Sequence, residues 1–381
     1  MNENSSAAAT MEEANALSTE LKGLFAIHSY TIDKPSAGNI TFSGSFVCDL
    51  EKCFDELRQR FEGLGYTPMI REQDGQIVLI AMPMVFDPKP SNWRTNLALV
   101  VLTIFSTLLV ATAAEIANEV EGDFGAFELY WLSVQNLWRG IPYSASIMLI
   151  LGAHELGHYF AARHHKVPVT LPYFIPFPIP PIGTMGAFIR IKAPVKNRRA
   201  LFDVGAAGPL AGLVVAIPIL LIGLATSPVE PYPDDGYMVE GNSVLYWTAK
   251  LVVKGQVLPA DSEDVFMNQM AWAGWVGLFV TGLNLIPVGQ LDGGHVAYTL
   301  LGRRARRLFL PVMVGLIALV ILTQTLTWAI WIFLLFFLGR IYAEPLDDVT
   351  PLDNRRRWLA IFTLLLFILV FVPIPLSIVA P

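Results

Sequence analysis

Runs of about 20 consecutive apolar residues constrain this chain more than any other feature, because a run that crosses a bilayer must do so as a helix satisfying its own backbone. Residues 97–114, 143–162, 201–224, 270–285 and 359–380 are such runs. Residues 308–338 form a longer one, interrupted at Thr323-Gln324-Thr325, which reads as two short spans joined in a hairpin. Seven crossings result, and the expected fold class is a polytopic α-helical membrane protein. Composition agrees: 54% of the 381 residues are hydrophobic and 15% charged, against about a quarter charged in soluble domains. The lipid bilayer is thus one expected partner. A net charge of −6 excludes a generally basic nucleic-acid binder, so no nucleic-acid partner is expected.

Lysine and arginine in short loops set orientation. With the N-terminus inside, the inner loops carry 15 basic residues, among them Arg163, Lys196, Arg198, the Arg303–Arg307 cluster and Arg355 to Arg357. The outer loops carry three, Arg139, Lys250 and Lys254. The N-terminus is expected in the cytoplasm and the C-terminus outside.

Ahead of the spans, residues 1–20 are polar and read as a disordered tail, unlike a signal peptide and without the arginines of a transit peptide. A prokaryotic cell membrane is the location expected. Residues 21–86 read as a small α+β cytosolic domain of order ββαββ, with its helix over residues 50–64 and an Asp74-Gly75 turn between the last two strands. Cys48 and Cys53 cannot build a disulfide framework and read as buried thiols in a reducing compartment. The membrane-embedded region is expected over residues 95–381.

Residues 167–191 are apolar, yet prolines at 168, 172, 176, 178, 180 and 181 forbid a continuous helix. Non-helical backbone at membrane depth must be buried in protein or line a wet cavity, so a Pro-rich re-entrant loop is expected, ending in a strand-like stretch at 186–191.

The second span contains His154-Glu155-Leu156-Gly157-His158. Four residues turn a helix by about 400°, so both imidazoles leave one face and can grip one Zn²⁺, with Glu155 beside them as general base. An ionisable residue mid-membrane costs about 2.5–3.5 kcal/mol, which points to a functional role. His165 lies about 10 Å along the axis from His158 and cannot share its ion; with His164 it reads as an interfacial anchor. A third ligand is needed, leaving a fourth position for water. Asp292 stands out, in Asn284-Leu285-Ile286-Pro287-Val288-Gly289-Gln290-Leu291-Asp292-Gly293-Gly294, where Pro287 and the glycine pair break the helix. Its span runs in the same direction as the His154 span and ends near the same face. His295 is a possible substitute with a structural role favoured, and Asp203 reads as a charge at a helix N-terminus. The small-residue run Gly205-Ala206-Ala207-Gly208-Pro209-Leu210-Ala211-Gly212 lets helices approach closely and can hold the metal-bearing helices together.

Together, HExxH in a membrane span, the AGPLAG run after it and N-x-x-P-x-x-x-L-D-G resemble the site-2 protease family of intramembrane zinc metalloproteases, over residues 140–300. Gly183 to Ala187, Leu201-Phe202-Asp203 and Gly289 to His295 look most like its archaeal, cyanobacterial and plastid branch. The resemblance implies one zinc held by His154, His158 and Asp292, catalysis by Glu155, and contact of Asn284 with substrate or the oxyanion. It implies cleavage of single-span transmembrane substrates near the cytosolic face. No PDZ or CBS domain is visible. The competing readings are a transporter or channel, a catalytically silent membrane scaffold, and another zinc enzyme acting on lipid or prenylated peptide; oligomeric state and substrate identity stay open.

Overall fold

The computed structural model describes residues 9–119, 125–233, 237–324 and 327–379. These fall into two units, and the first takes in the chain up to Lys89 together with Lys192–Leu201 and Glu344–Asp353.

In this first unit α1 (Met11–Glu20) precedes β1 (Phe25–Ile32), β2 (Ile40–Phe46), α2 (Leu50–Glu62), β3 (Thr67–Gln73) and β4 (Gln76–Met82). The strands pair antiparallel in the order β1-β2-β4-β3. Asp74 and Gly75, both at positive φ, make the two-residue turn that joins β3 to β4. Phe54, Leu57 and Phe61 leave one face of α2 and are fully buried with Ile40, Phe42 and Leu79 of the sheet. Each such side chain contributes about 1.5–3 kcal/mol of burial.

Two expectations are corrected here. Residues 11–20 are helical rather than a disordered tail, and residues 1–8 lie outside the described part. Thr10 and Glu13 form a reciprocal capping box that starts α1, and Ala14 and Leu17 sink into the core. Cys48 and Cys53 are joined in a disulfide rather than free. Asp49 is the N-cap of α2, which puts Cys48 just before the cap and Cys53 at the fourth helical position. Those two positions face each other across a helix start, as in a hydrophobic staple.

The sheet does not end at β3. The Ile70 N–H donates to the Leu346 carbonyl (2.7 Å), and the Asp348 N–H to the Ile70 carbonyl (3.2 Å). The Leu346 and Asp347 N–H groups in turn donate to Val195 and Lys196. Two segments distant in sequence thereby cover the exposed edge. Arg71, 1% exposed, is held beneath them by the Ile70 and Leu346 carbonyls and the Glu344 carboxylate.

The second unit is mainly helical. Its elements are α3 (Trp93–Glu119), α4 (Ala126–Gln135), α5 (Ile141–His164), β5 (Tyr173–Pro176), β6 (Thr184–Phe188), α6 (Arg198–Thr226, whose first turn belongs to the first unit), β7 (Val229–Pro231), β8 (Tyr237–Glu240), α7 (Val244–Lys254), β9 (Glu263–Val265), α8 (Gln269–Asn284), α9 (Asp292–Leu301), α10 (Phe309–Thr323), α11 (Thr327–Leu338), α12 (Asn354–Val370) and β10 (Leu376–Val379). Among the described residues, three helical stretches are long and apolar enough to cross a membrane: Trp93–Glu119, Arg198–Thr226 and Asp292–Thr323. Helices occupy all the other apolar runs too. The break between α10 and α11 falls at Gln324, which has positive φ, next to Thr325, outside the described residues. The run at 359–380 is helical only to Val370. Pro373 and Pro375 follow, and the chain continues as β10, antiparallel to β8; residue 380 is outside the described part. Helices α4 and α7 and the small β7–β9 and β8–β10 pairs have no counterpart in the sequence reading.

The proline-rich segment forms an antiparallel hairpin of β5 and β6. Asn96 of α3 donates to the Leu171 and Pro172 carbonyls at 2.9 Å. Ser106 donates to the Gly183 carbonyl at 2.7 Å, and Tyr143 of α5 to Ile182 at 2.6 Å. Asn96 and Ser106 are ten residues apart, so the hairpin follows α3 for about 15 Å, with its free carbonyls answered by protein donors.

Candidate metal centre

Helix α5 buries a continuous face of Tyr143, Ile147, Ile150, Leu151, His154, Glu155 and His158. The apolar half anchors the helix, and the polar half follows on the same side. On α8 the side chain of Asn268 caps the helix start by accepting from the N–H groups of Met270 and Ala271, and the helix ends at Asn284. The chain then folds back tightly before α9. A Cβ on Gly293 would lie 2.0 Å from the Leu285 carbonyl oxygen, and one on Gly294 would lie 2.4 Å from that of Gly289. Only paired glycines admit this return. It leaves Asn284 as the last residue of one helix and Asp292 as the first of the next, where a helix N-terminus favours a carboxylate.

Nε2 of His154 and Nε2 of His158 are 3.2 Å apart, and each is 3.3 Å from Oδ2 of Asp292. No other group of three or more His, Cys, Asp or Glu side chains among the described residues can hold a metal in this way. Nδ1 of His158 lies 2.7 Å from the Val204 carbonyl, which only accepts, so in the neutral imidazole the proton sits on Nδ1 and Nε2 presents a bare lone pair. Lone pairs crowded this closely repel unless a cation lies among them. A tetrahedral ion bound at about 2.0–2.1 Å requires ligand atoms about 3.3 Å from one another, which is the observed triangle. The donor set therefore fits a divalent metal of zinc's size and leaves a fourth position for another ligand.

Glu155 is buried outside the triangle, its carboxyl facing the backbone of Ile189 just past β6. The Asn284 side-chain nitrogen lies 3.3 Å from Nε2 of His154. His295 does not join the cluster; its Nδ1 is buried and without a hydrogen-bond partner among the described residues. Asp203 is not at a helix start, since α6 begins five residues earlier. Its carboxylate pairs instead with His165 (2.7 Å) and Arg356 (2.7 Å).

The small-residue run of α6 lies directly behind the imidazoles. A Cβ on Gly212 would stand 3.2 Å from Nδ1 of His154, and one on Gly205 would stand 2.9 Å from Cβ of His295. A Cβ on Gly157 of α5 would strike the Ala207 carbonyl oxygen at 2.5 Å. These glycines let α5, α6 and α9 approach one another closely beside the cluster. The Val204 carbonyl has no side-chain signature, and nothing in the sequence could have singled it out.

The model of Peptidase family M50 matches residues 142–327. Over 363 residues the chain is 29% identical to the probable zinc metalloprotease EGY2, chloroplastic, of Oryza sativa subsp. indica, covering 91% of this chain and 63% of that protein. The Arabidopsis thaliana protein of the same name is 28% identical over 361 residues, covering 91% and 62%. The probable zinc metalloprotease EGY1, chloroplastic, of Arabidopsis thaliana is 29% identical over 315 residues, covering 76% and 55%. The chain thus spans less than two thirds of the length of these relatives. No solved structure matches.

Proposed function

We propose that the chain, whose residues 142–327 match the model of peptidase family M50, is an intramembrane zinc endopeptidase that cuts transmembrane segments near the cytosolic face. The observation carrying this reading is the triangle of His154, His158 and Asp292, whose sides match the spacing that tetrahedral zinc demands. In this reading those three residues hold one Zn²⁺. Bound there, zinc lowers the pKa of a water towards neutrality and polarises the scissile carbonyl. Glu155, between the two histidines, takes the proton of the attacking water and returns it to the leaving amine. The Asn284 amide hydrogen-bonds the developing oxyanion. The Val204 carbonyl holds the His158 proton on Nδ1 throughout, so that ligand neither rotates nor changes tautomer.

The membrane half makes seven crossings in this reading, through α3, α5, α6, α8, α10, α11 and α12, with the β5–β6 hairpin re-entrant from the cytosolic side. The N-terminus lies in the cytosol of a prokaryotic cell and the C-terminus outside, supported by 15 basic residues on inner loops against three on outer ones. The substrate is a single-span helix. A helical peptide bond is shielded by its own hydrogen bonds, so the target unwinds and pairs its freed backbone with the edge of β6, next to Glu155.

The test is cleavage of a single-span substrate by reconstituted protein beside its Glu155→Gln variant. Lost cleavage with zinc retained supports the reading. Undiminished cleavage overturns the role of Glu155, and ion flux abolished by Glu155→Gln would favour a transporter instead.

A further inference from the structure

Asp203 belongs to none of the metal-binding atoms, yet three elements converge on its carboxylate. His165, the residue that closes α5, lies 2.7 Å away through Nε2. Arg356, in the first turn of α12, donates through Nε at 2.8 Å to one oxygen and through Nη2 at 2.7 Å to the other. The next residue along α6, Val204, carries the carbonyl that accepts from Nδ1 of His158. Two adjacent residues of α6 therefore hold α5 at two points, His158 and His165, about 10 Å apart along the helix axis.

We infer that Asp203 is a positioning residue for the metal centre, acting through the Val204 carbonyl on His158. The inference rests on the zinc-peptidase reading above. A carbonyl inside a helix cannot swing as a side chain does; it moves only when the helix moves. The 2.7 Å contact with His158 therefore depends on how α6 is set against α5, and the His165–Asp203–Arg356 junction sets it. Charge-assisted, bidentate bonds of this kind are about twice as strong as neutral ones and far more directional. Without the negative charge, the contacts of His165 and Arg356 with residue 203 lose their charge assistance. The α5–α6 contact then loosens beside the ligand it orients. Partners that orient a ligand histidine typically matter about 10–100-fold in metal affinity.

The full-length protein in lipid nanodiscs, loaded with cobalt(II) in place of zinc, provides the test. Three quantities are read: the visible d–d spectrum, metal affinity by chelator competition, and the melting temperature of the metal-free protein. Asp203→Asn should weaken metal binding about 10–100-fold and alter the spectrum while the metal-free melting temperature stays close to that of the parent, and Asp203→Glu should recover affinity. His165→Asn should shift affinity in the same direction, and it decides the matter if Asp203→Asn does not fold. An unchanged spectrum and affinity overturns the inference. So does a loss of affinity that only tracks a fall in metal-free stability, because that is the signature of a plain helix tie. If the parent protein binds neither cobalt nor zinc, the zinc-peptidase reading itself fails.

Discussion

A Cβ on Gly208 of α6 would lie 2.0 Å from Nε2 of His158, inside any permitted contact distance. Alanine is the better helix former by about 1 kcal/mol, so propensity alone favours Gly208→Ala. Steric conflict wins, because the bond from Nδ1 to the Val204 carbonyl, one turn earlier on the same helix, holds the ring against α6. Gly208→Ala should lower zinc retention by at least about 100-fold. Gly212→Ala, whose Cβ would stand 3.2 Å from His154, should cost far less. Zinc content after dialysis against a graded chelator reads both, and equal loss from the two variants would contradict the geometry.

Asn284 lies close to His154 without being a third imidazole or carboxylate in the triangle. If its amide serves the oxyanion, Asn284→Ala should keep zinc and the substrate KM while kcat falls about 10²–10³-fold. Steady-state cleavage with parallel metal analysis checks this. A rise in KM with kcat unchanged would assign Asn284 to substrate binding instead.

Arg71 bridges strand β3 to the segment at 344–346 from a fully buried position. Truncating it removes one of the two donors to the Leu346 carbonyl, the Ile70 N–H remaining, and takes the guanidinium from the Glu344 carboxylate. Arg71→Ala should destabilise the first unit by about 3 kcal/mol, at the low end for a broken buried pair because Glu344 keeps some access to water. Urea unfolding followed in that unit measures it. A change under 1 kcal/mol would mean the edge is held by the backbone bonds alone.

Unwinding makes substrate helicity a rate determinant. Replacing a glycine near the cut by alanine raises the unwinding cost by about 1 kcal/mol, which corresponds to about a five-fold fall in kcat/KM. A panel of otherwise identical spans tests this by cleavage rate, and equal rates across the panel would remove the unwinding step.

Much of the three-residue cluster was legible because its side chains sit at spacings with strong geometric meaning. The i, i+4 histidines needed only a helix, and Asp292 stood at a helix break that the glycine pair announces. The ββαββ order of the first unit followed from alternation and from the Asp74-Gly75 turn. Other features depend on contacts between residues far apart in sequence and leave no local pattern. Val204 acts through its backbone, and Asp203 meets Arg356 from 153 positions away. The segments at 195–197 and 345–348 look like ordinary loops until they pair beside β3. The capping box at Thr10 and the Cys48–Cys53 bridge across the α2 start were local signals; the first lay hidden in polar composition and the second in a choice of free thiols.

Metal analysis of the purified protein beside His154→Ala and Asp292→Ala addresses the centre most directly. Close to one zinc per chain in the parent, lost in both variants, is the expected result. Zinc retained at parental level in Asp292→Ala would show that the carboxylate at the start of α9 does not complete the site, and the triangle would no longer describe a metal centre.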